Sequence, residues 1–347
     1  MENLPSFSQE EEDLFLASCY ALVYEDEQTY KSINSSFDYG QQLIVIEKDL
    51  RRLASSNHHS TTSYETLIRL RNSIGEIQRN FPLSSFSPYI DLYFETDKLC
   101  RANDKNSNEF LDQLKHALTQ TEFKKNIINK RKAVSKNKQS LMRYIEALFE
   151  YRARLLVIRV DLGYKRDNSG FINISKSERI DLLDGIKNKE VLEKWSIQVR
   201  QHRDDLIKIL KKKYKNDLVG YVWKLEYGAD KAFHYHTIFF LDGNYHNRDV
   251  LIAKEIGELW TTEVTSIQDT QGIYWNCNAR KNDFRKYDRI ATGMIHHKDK
   301  RQRENLELMA EYLIKPDYFV KTALSEGART FGKGEKPTKL KSGRPRE

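Results

Sequence analysis

The residues best suited to chemistry stand close together in KLEYGADKAFHYHTIFFL, residues 224 to 241. The second half has the aromatic and β-branched content of a buried strand. Yet it opens with His234 and His236 flanking Tyr235, and Glu226 stands eight residues before the first histidine. In a strand, residues i and i+2 share a face, about 7 Å apart at their Cα atoms. If GADKA turns the chain so that Tyr227 meets Phe233, then Glu226 falls opposite His234 and Lys224 opposite His236, at about 5 Å. One carboxylate and two imidazoles then converge above a sheet. Such a group is costly to bury alone, and a divalent cation satisfies all three while leaving positions for water or a phosphate oxygen. The bland alternative is chance alternation with one histidine hydrogen-bonded in the core. With nine histidines in the chain a single HxH pair is unsurprising. Strand placement and Glu226 tilt the reading toward a metal.

An ion that polarises phosphate oxygens is half of a phosphoryl-transfer site, and a nucleophile is the other half. Tyr312-Leu313-Ile314-Lys315 puts a phenol and an ammonium at i and i+3, on one face of a helix. Tyrosines number nineteen, so packing is the usual fate of a lone YxxK. A second copy, Tyr318-Phe319-Val320-Lys321, lies beyond Pro316, which keeps the two tyrosines from sharing one continuous helical face. ARKNDFRKYDR (279 to 289) interleaves Arg280, Lys281, Arg285 and Lys286 with Phe284 and Tyr287. This suits a single-stranded nucleic acid, cations on phosphates and rings on bases, as well as it suits a solvated helix face.

The elements that must position these groups follow from pattern. The chain has 347 residues, more than one core usually spans, so two domains are expected. Residues 1 to 150 read as an all-α domain: a capping box at Ser8-Gln9-Glu10-Glu11 before LFLASCYALVY, then FDYGQQLIVIEKDLRRLA, YETLIRLRNSIGEIQRNF and PYIDLYFETDKLC at helical spacing. SSNHHSTTS, with His58 and His59 read as solvent-exposed, and NFPLSSFSP separate them as loops. Beyond, LLVIRVDLGY (155 to 164) alternates like a strand, with Leu156, Ile158, Val160 and Leu162 on one face and Arg159 and Asp161 on the other. A helix over 188 to 214, strands over 218 to 227 and 234 to 241, a helix over 248 to 264 and a strand at 272 to 278 complete a β, α, β, β, α, β order. That order suggests a ferredoxin-like or RNA-recognition-motif-like α+β fold with an antiparallel sheet, over residues 151 to 326. A helix over 303 to 315 stops at Pro316, and residues 327 to 347 read as a basic, disordered tail.

Composition bounds the rest. Lys+Arg 58 against Asp+Glu 50 gives a net charge of +8, an excess that attracts polyanions without naming one. No apolar run approaches the ~20 residues of a bilayer span, and MENLPSFSQEEED lacks a signal-peptide pattern, so a cytoplasmic protein with no membrane partner is expected. Cys19, Cys100 and Cys277 lie far apart without CxxC spacing, which indicates neither a disulfide framework nor a structural zinc site. No GxxxxGK[ST] loop occurs, so no nucleotide cofactor is expected.

With RVDLGY (159 to 164), E-x7-HYH, YLIKPD (312 to 317) and ARTFGKG (328 to 334) in that order, the second half resembles the HUH endonucleases. These are the rolling-circle replication initiators and relaxases. More narrowly it is similar to the inovirus gene-2-protein family, also called the YagK/YfjJ C-terminal domain family, of filamentous phages and prophages. The resemblance spans about residues 150 to 335 and implies a site-specific, strand-specific, metal-dependent nicking enzyme that initiates rolling-circle replication of a phage, prophage or plasmid-like element. His234 and His236 would bind Mg²⁺ or Mn²⁺ with Glu226 as third ligand. Tyr312 would be the nucleophile with Lys315 beside it, Tyr318 being the second choice. Arg159 would contact DNA along with Arg280, Lys281, Arg285 and Lys286. Partners would be single-stranded or origin DNA and a bacterial host's helicase and polymerase. The rival is a non-catalytic DNA-binding or regulatory protein of a mobile element that keeps the fold.

Overall fold

The computed structural model describes residues 21–25, 28–32, 35–55, 61–81, 83–164, 188–228, 232–266, 272–287, 289–314, 317, 320–324 and 327–337. Ser8 to Tyr20, His58, His59, Lys315 and Tyr318 lie outside them. The chain divides into two compact units, Met1–Lys136 with Gly228–Asp230 and Lys315–Ala323, and Asn137–Tyr227 with Lys231–Ile314 and Leu324–Glu347. Among the described residues no helix is long and apolar enough to cross a membrane.

The first unit is mostly helical, with β structure the sequence reading did not expect. Ala21–Glu25 (β1) and Gln28–Ser32 (β2) pair antiparallel. ALVY is therefore strand and not the end of a helix, in keeping with the β-branched and aromatic content of Val23, Tyr24, Thr29 and Tyr30. Then come α1 (Ser35–Ser55), α2 (Thr61–Leu70), α3 (Ile74–Asn80), β3 (Ser84–Phe86), α4 (Pro88–Ala102), α5 (Ser107–Thr119) and the start of α6 (Thr121–Tyr151). Leu43, Ile46 and Leu50 of α1 meet Leu67, Ile77, Tyr93, Phe110 and Leu114 in one buried cluster. Local chemistry starts the helices: the Ser87 hydroxyl accepts from the Ile90 N–H with Pro88 at the first turn, and Asn106 with Glu109 forms a reciprocal capping box.

The second unit is α+β around a six-stranded antiparallel sheet. Its strands are β4 (Arg154–Tyr164), β5 (Leu218–Gly228), β6 (Ala232–Asp242), β7 (Gly272–Asn276), β8 (Gly293–His296) and β10 (Phe331–Lys333). The order is β10-β5-β6-β4-β7, with β8 also paired to β4. Between them run α7 (Asn188–Tyr214), α8 (Asp249–Leu259, continued by a π turn Trp260–Val264) and α9 (Lys300–Glu311). Leu156, Ile158, Val160 and Leu162 face Leu241, Phe239, Thr237 and Tyr235 across the β4–β6 ladder. The α7 and α8 helices cover that face: the Tyr235 hydroxyl donates to the Val199 carbonyl at 3.2 Å, and the Tyr164 ring packs edge-on to Trp195 and Trp260.

The other face is covered in part by α6. Gly220 lies six residues before Glu226 in β5, hence on the same face, and a Cβ there would stand 2.5 Å from Tyr144 Oη and 2.9 Å from Leu148. The α9 helix lies antiparallel to α6, since Arg303 pairs with Glu146 and Lys138 with Glu311 at 2.6 Å.

Two expectations are corrected here. Phe331–Lys333 is not tail but a sheet strand, paired in register with Lys224, Trp223 and Val222. Gly332 makes the pairing possible, because a Cβ there would strike the Trp223 ring at 2.4 Å. NFPLSSFSP is not all loop: β3 pairs with β9 (Val320–Thr322), so the second YxxK copy ends in a strand of the first unit.

Candidate metal centre

Glu226 near the end of β5 and His234 and His236 near the start of β6 meet on the half of the sheet that continues beyond Gly220. Both Nε2 atoms lie 3.5 Å from Glu226 Oε2, and one atom from each of the three residues falls within 4.8 Å of the others. Ligands bound to a first-row or magnesium ion at about 2.1 Å stand roughly 3 to 3.5 Å from one another, so this donor set fits such an ion. The side chains are 12, 20 and 17 % exposed for His234, His236 and Glu226, recessed but reachable.

The far side of each ring is occupied. His234 Nδ1 lies 3.1 Å from the Ala232 carbonyl, to which its N–H donates. His236 Nδ1 lies 2.9 Å from Asp161 Oδ1, an ion-pair approach more than an aligned hydrogen bond. Each ring is thereby turned with Nε2 toward Glu226, the way carboxylate and carbonyl partners orient metal-bound histidines. Asp161 stands directly across the ladder from His236, and Arg159 Nε lies 3.6 Å from the same Asp161 oxygen. Arg159 is held from behind as well: its backbone N–H donates to Asn278 Oδ1 at 2.8 Å.

The charges tune one another. Burial alone would lower the His236 pKa, but the Asp161 and Glu226 carboxylates outweigh it and push it up to about 9. Burial would raise the two carboxyls, yet Asp161 is held far below the usual range by His236 and Arg159, and Glu226 by His234 and His236. Burial drives the Cys277 thiol up, with Asp161 adding to it, which keeps a protonated sulfur near this corner.

The remaining candidates fall out differently. Tyr312 is 41 % exposed, but it does not sit within α9: it is the residue that closes the helix, its N–H donating to the Leu308 carbonyl at 3.2 Å. Arg280 is exposed, whereas Lys281 is spent on Asp249 at 2.7 Å, an ion pair that Asn278 joins from Nδ2 at 3.0 Å. The backbone of Arg285 and Lys286 belongs to a 3-10 segment, Cys277–Tyr287, and their side chains lie outside the described ones. Sequence reasoning missed the role of Asp161. Its alternation with Leu162 had put it on the polar face, but only the β4–β6 register sets it against His236.

Neither a curated protein nor a solved structure matches the chain. One family does: the sequence pattern of the YagK/YfjJ C-terminal domain matches residues 117–334, from the end of α5 through β10. That stretch contains every residue of the Glu226, His234, His236 and Asp161 cluster together with Tyr312, and the chain belongs to the YagK/YfjJ C-terminal domain family.

Proposed function

We propose that this protein is a metal-dependent DNA nicking and joining enzyme with a tyrosine nucleophile, acting on single-stranded or extruded origin DNA to start rolling-circle replication of a phage, prophage or plasmid-like element. The observation that carries the reading is the convergence of His234 Nε2 and His236 Nε2 on Glu226 Oε2, with both Nδ1 atoms already engaged. The strand order β5-β6-β4-β7 supports it further, since a β, α, β, β, α, β chain folded in this order is the ferredoxin-like arrangement of the HUH endonucleases that the motifs resemble.

A divalent ion, Mg²⁺ or Mn²⁺, held by His234, His236 and Glu226 would draw charge from the non-bridging oxygens of one phosphodiester. The chain's own groups do the rest. Tyr312 loses its phenolic proton and its oxygen bonds to phosphorus, the bond from phosphorus to the 3′ oxygen breaks, and that oxygen takes up a proton. The products are a free 3′-OH and a 5′-phosphotyrosine, and reversal of the step joins strands with no ATP. Tyr312 is suited to this by its exposure and by its position closing α9. Lys315 follows three residues later in the sequence, and Arg159 adds positive charge beside the cluster. Unwinding and synthesis would fall to the host's helicase and polymerase.

The test is a short single-stranded oligonucleotide containing the nick site, incubated with protein and Mn²⁺ and followed by mass spectrometry. Wild type should form an adduct on Tyr312. Tyr312→Phe should bind DNA and form none, and His234→Ala combined with His236→Ala should lose both cleavage and Mn²⁺ binding. An adduct mapped to Tyr318, or full cleavage in EDTA, would refute the assignment. Binding of origin DNA without any cleavage would favour the non-catalytic regulatory reading.

A further inference from the structure

The face that carries the metal cluster continues onto β7. In the β4–β7 ladder Trp275 lies directly opposite Asp161, and Ile273 opposite Gly163. Directly paired residues share a face, so one row crosses three strands as His236, Asp161, Trp275. Tyr274 points the other way, its ring against Gly257 of α8. Gly163 leaves the next row bare: a Cβ there would stand 3.5 Å from Ile273 and 3.8 Å from His234. Ile273 is 37 % exposed, Trp275 is half-buried, and the exposed Arg280 sets its guanidinium 5.5 Å from the indole centre. β7 ends the strand order, so this platform lies at an edge of the sheet.

We infer that Trp275, with Arg280 over its ring and Ile273 beside it, is a stacking subsite for a base of single-stranded DNA. It stands two strand spacings from His236, roughly 10 Å, within reach of a nucleotide next to one whose phosphate sits at the cluster. An indole accepts any base, because every base has a π face, and the neighbouring guanidinium supplies both a cation–π contact and a phosphate partner. The aromatic platform is therefore on the strand itself, ahead of the basic 3-10 segment to which the sequence reading assigned stacking. The inference takes its ligand class from the proposed DNA function but concerns binding alone.

A mixed-sequence single-stranded oligonucleotide carrying one 2-aminopurine, moved along the strand in separate samples, is titrated with the full-length protein in EDTA and at several salt concentrations. Cleavage with Mn²⁺ is measured in parallel. Wild type should quench the probe at one or two positions. Trp275→Leu should weaken binding about tenfold with the salt slope unchanged, and Trp275→Phe should keep most of the affinity. Arg280→Gln should instead flatten the salt slope by about one. Wild-type affinity in Trp275→Leu would overturn the subsite. If that variant does not fold, a wild-type chain that quenches the probe at no position overturns it equally. Cleavage by wild type with Trp275→Leu binding unchanged would leave the nickase standing without this subsite. Weakened Trp275→Leu binding with no cleavage by wild type would do the reverse.

Discussion

His236 serves two masters. Its Nδ1 faces Asp161 and its Nε2 faces Glu226, and with no ion between them the two carboxylates hold a proton on the ring up to about pH 9. An unfolded histidine titrates near ~6.5, so in the metal-free protein the charged ring adds stability that is fully present below that value. That contribution is lost as pH rises through about 9. Binding of the proposed metal would run the opposite way, because the ion would have to displace that proton. Apparent Mn²⁺ affinity is expected to climb by up to about tenfold per pH unit from neutrality toward 9 and then level off. Asp161→Asn should move the climb to lower pH and reduce the plateau about 10- to 100-fold, by loosening the ring's orientation. Calorimetric titration of both proteins between pH 6.5 and 9.5 checks this, and a pH-independent wild-type affinity would contradict it. The Glu226, His234 and His236 cluster was legible because i, i+2 histidines and a hairpin-spaced glutamate are local signals. Asp161 and Trp275 were not, since both depend on the registers of strands far apart in the chain, Asp161 pairing with His236 and with Trp275.

Between elements, the decisive contact is α6 against the sheet. Gly220 leaves room for Tyr144, whose hydroxyl accepts the Tyr221 N–H at 3.1 Å and whose ring lies beneath Lys333 Nζ, 5.0 Å from the ring centre. A side chain at 220 would enter that contact. Gly220→Val is therefore expected to destabilise the second unit by about 1–3 kcal/mol through overpacking. Gly75→Ala, in α3 with nothing within 4 Å of the added carbon, should gain about 0.4–1 kcal/mol in the first unit. All four tryptophans belong to the second unit, so a urea titration followed by their fluorescence should report the first change and miss the second. The element order of the second unit was readable because its helices and strands carry strong, distinct periodicities. Several short strands were not. β1 and β2 are short segments whose apolar residues also fit a helical turn, and β3 has only SSF to announce it. β10, in RTFGKG, is glycine-bearing and basic, and becomes a strand only because Trp223 and Lys224 offer it an edge.

At the level of the molecule, the two units are not consecutive in the chain. Every candidate ligand and the candidate nucleophile come after residue 150. Yet directly after Tyr312 and Ile314 the chain re-enters the first unit as Lys315–Ala323, where β9 pairs with β3 and the Ala323 N–H donates to the Leu83 carbonyl at 2.7 Å. Deleting residues 1 to 136 should leave Mn²⁺ affinity close to wild type, because Glu226, His234, His236 and Asp161 all belong to the second unit. If Tyr312 is the proposed nucleophile, the same deletion should cut adduct formation on it about 100-fold, because the segment that follows it loses its partner strand. Undiminished adduct formation by the truncated chain would show that the β9 anchor does not matter.

That pairing also sets an order of events during synthesis. β3 leaves the ribosome roughly 240 residues before β9, and so distant a closure is slow to form. The helices that are made first therefore complete their unit last, after every strand of the sheet but β10 has emerged. Until then β3 presents an unpaired edge of the kind that recruits strands from other chains. A protein stalled or clipped just before Val320 would carry the whole Glu226, His234 and His236 cluster and Tyr312 and still be a nucleus for aggregation.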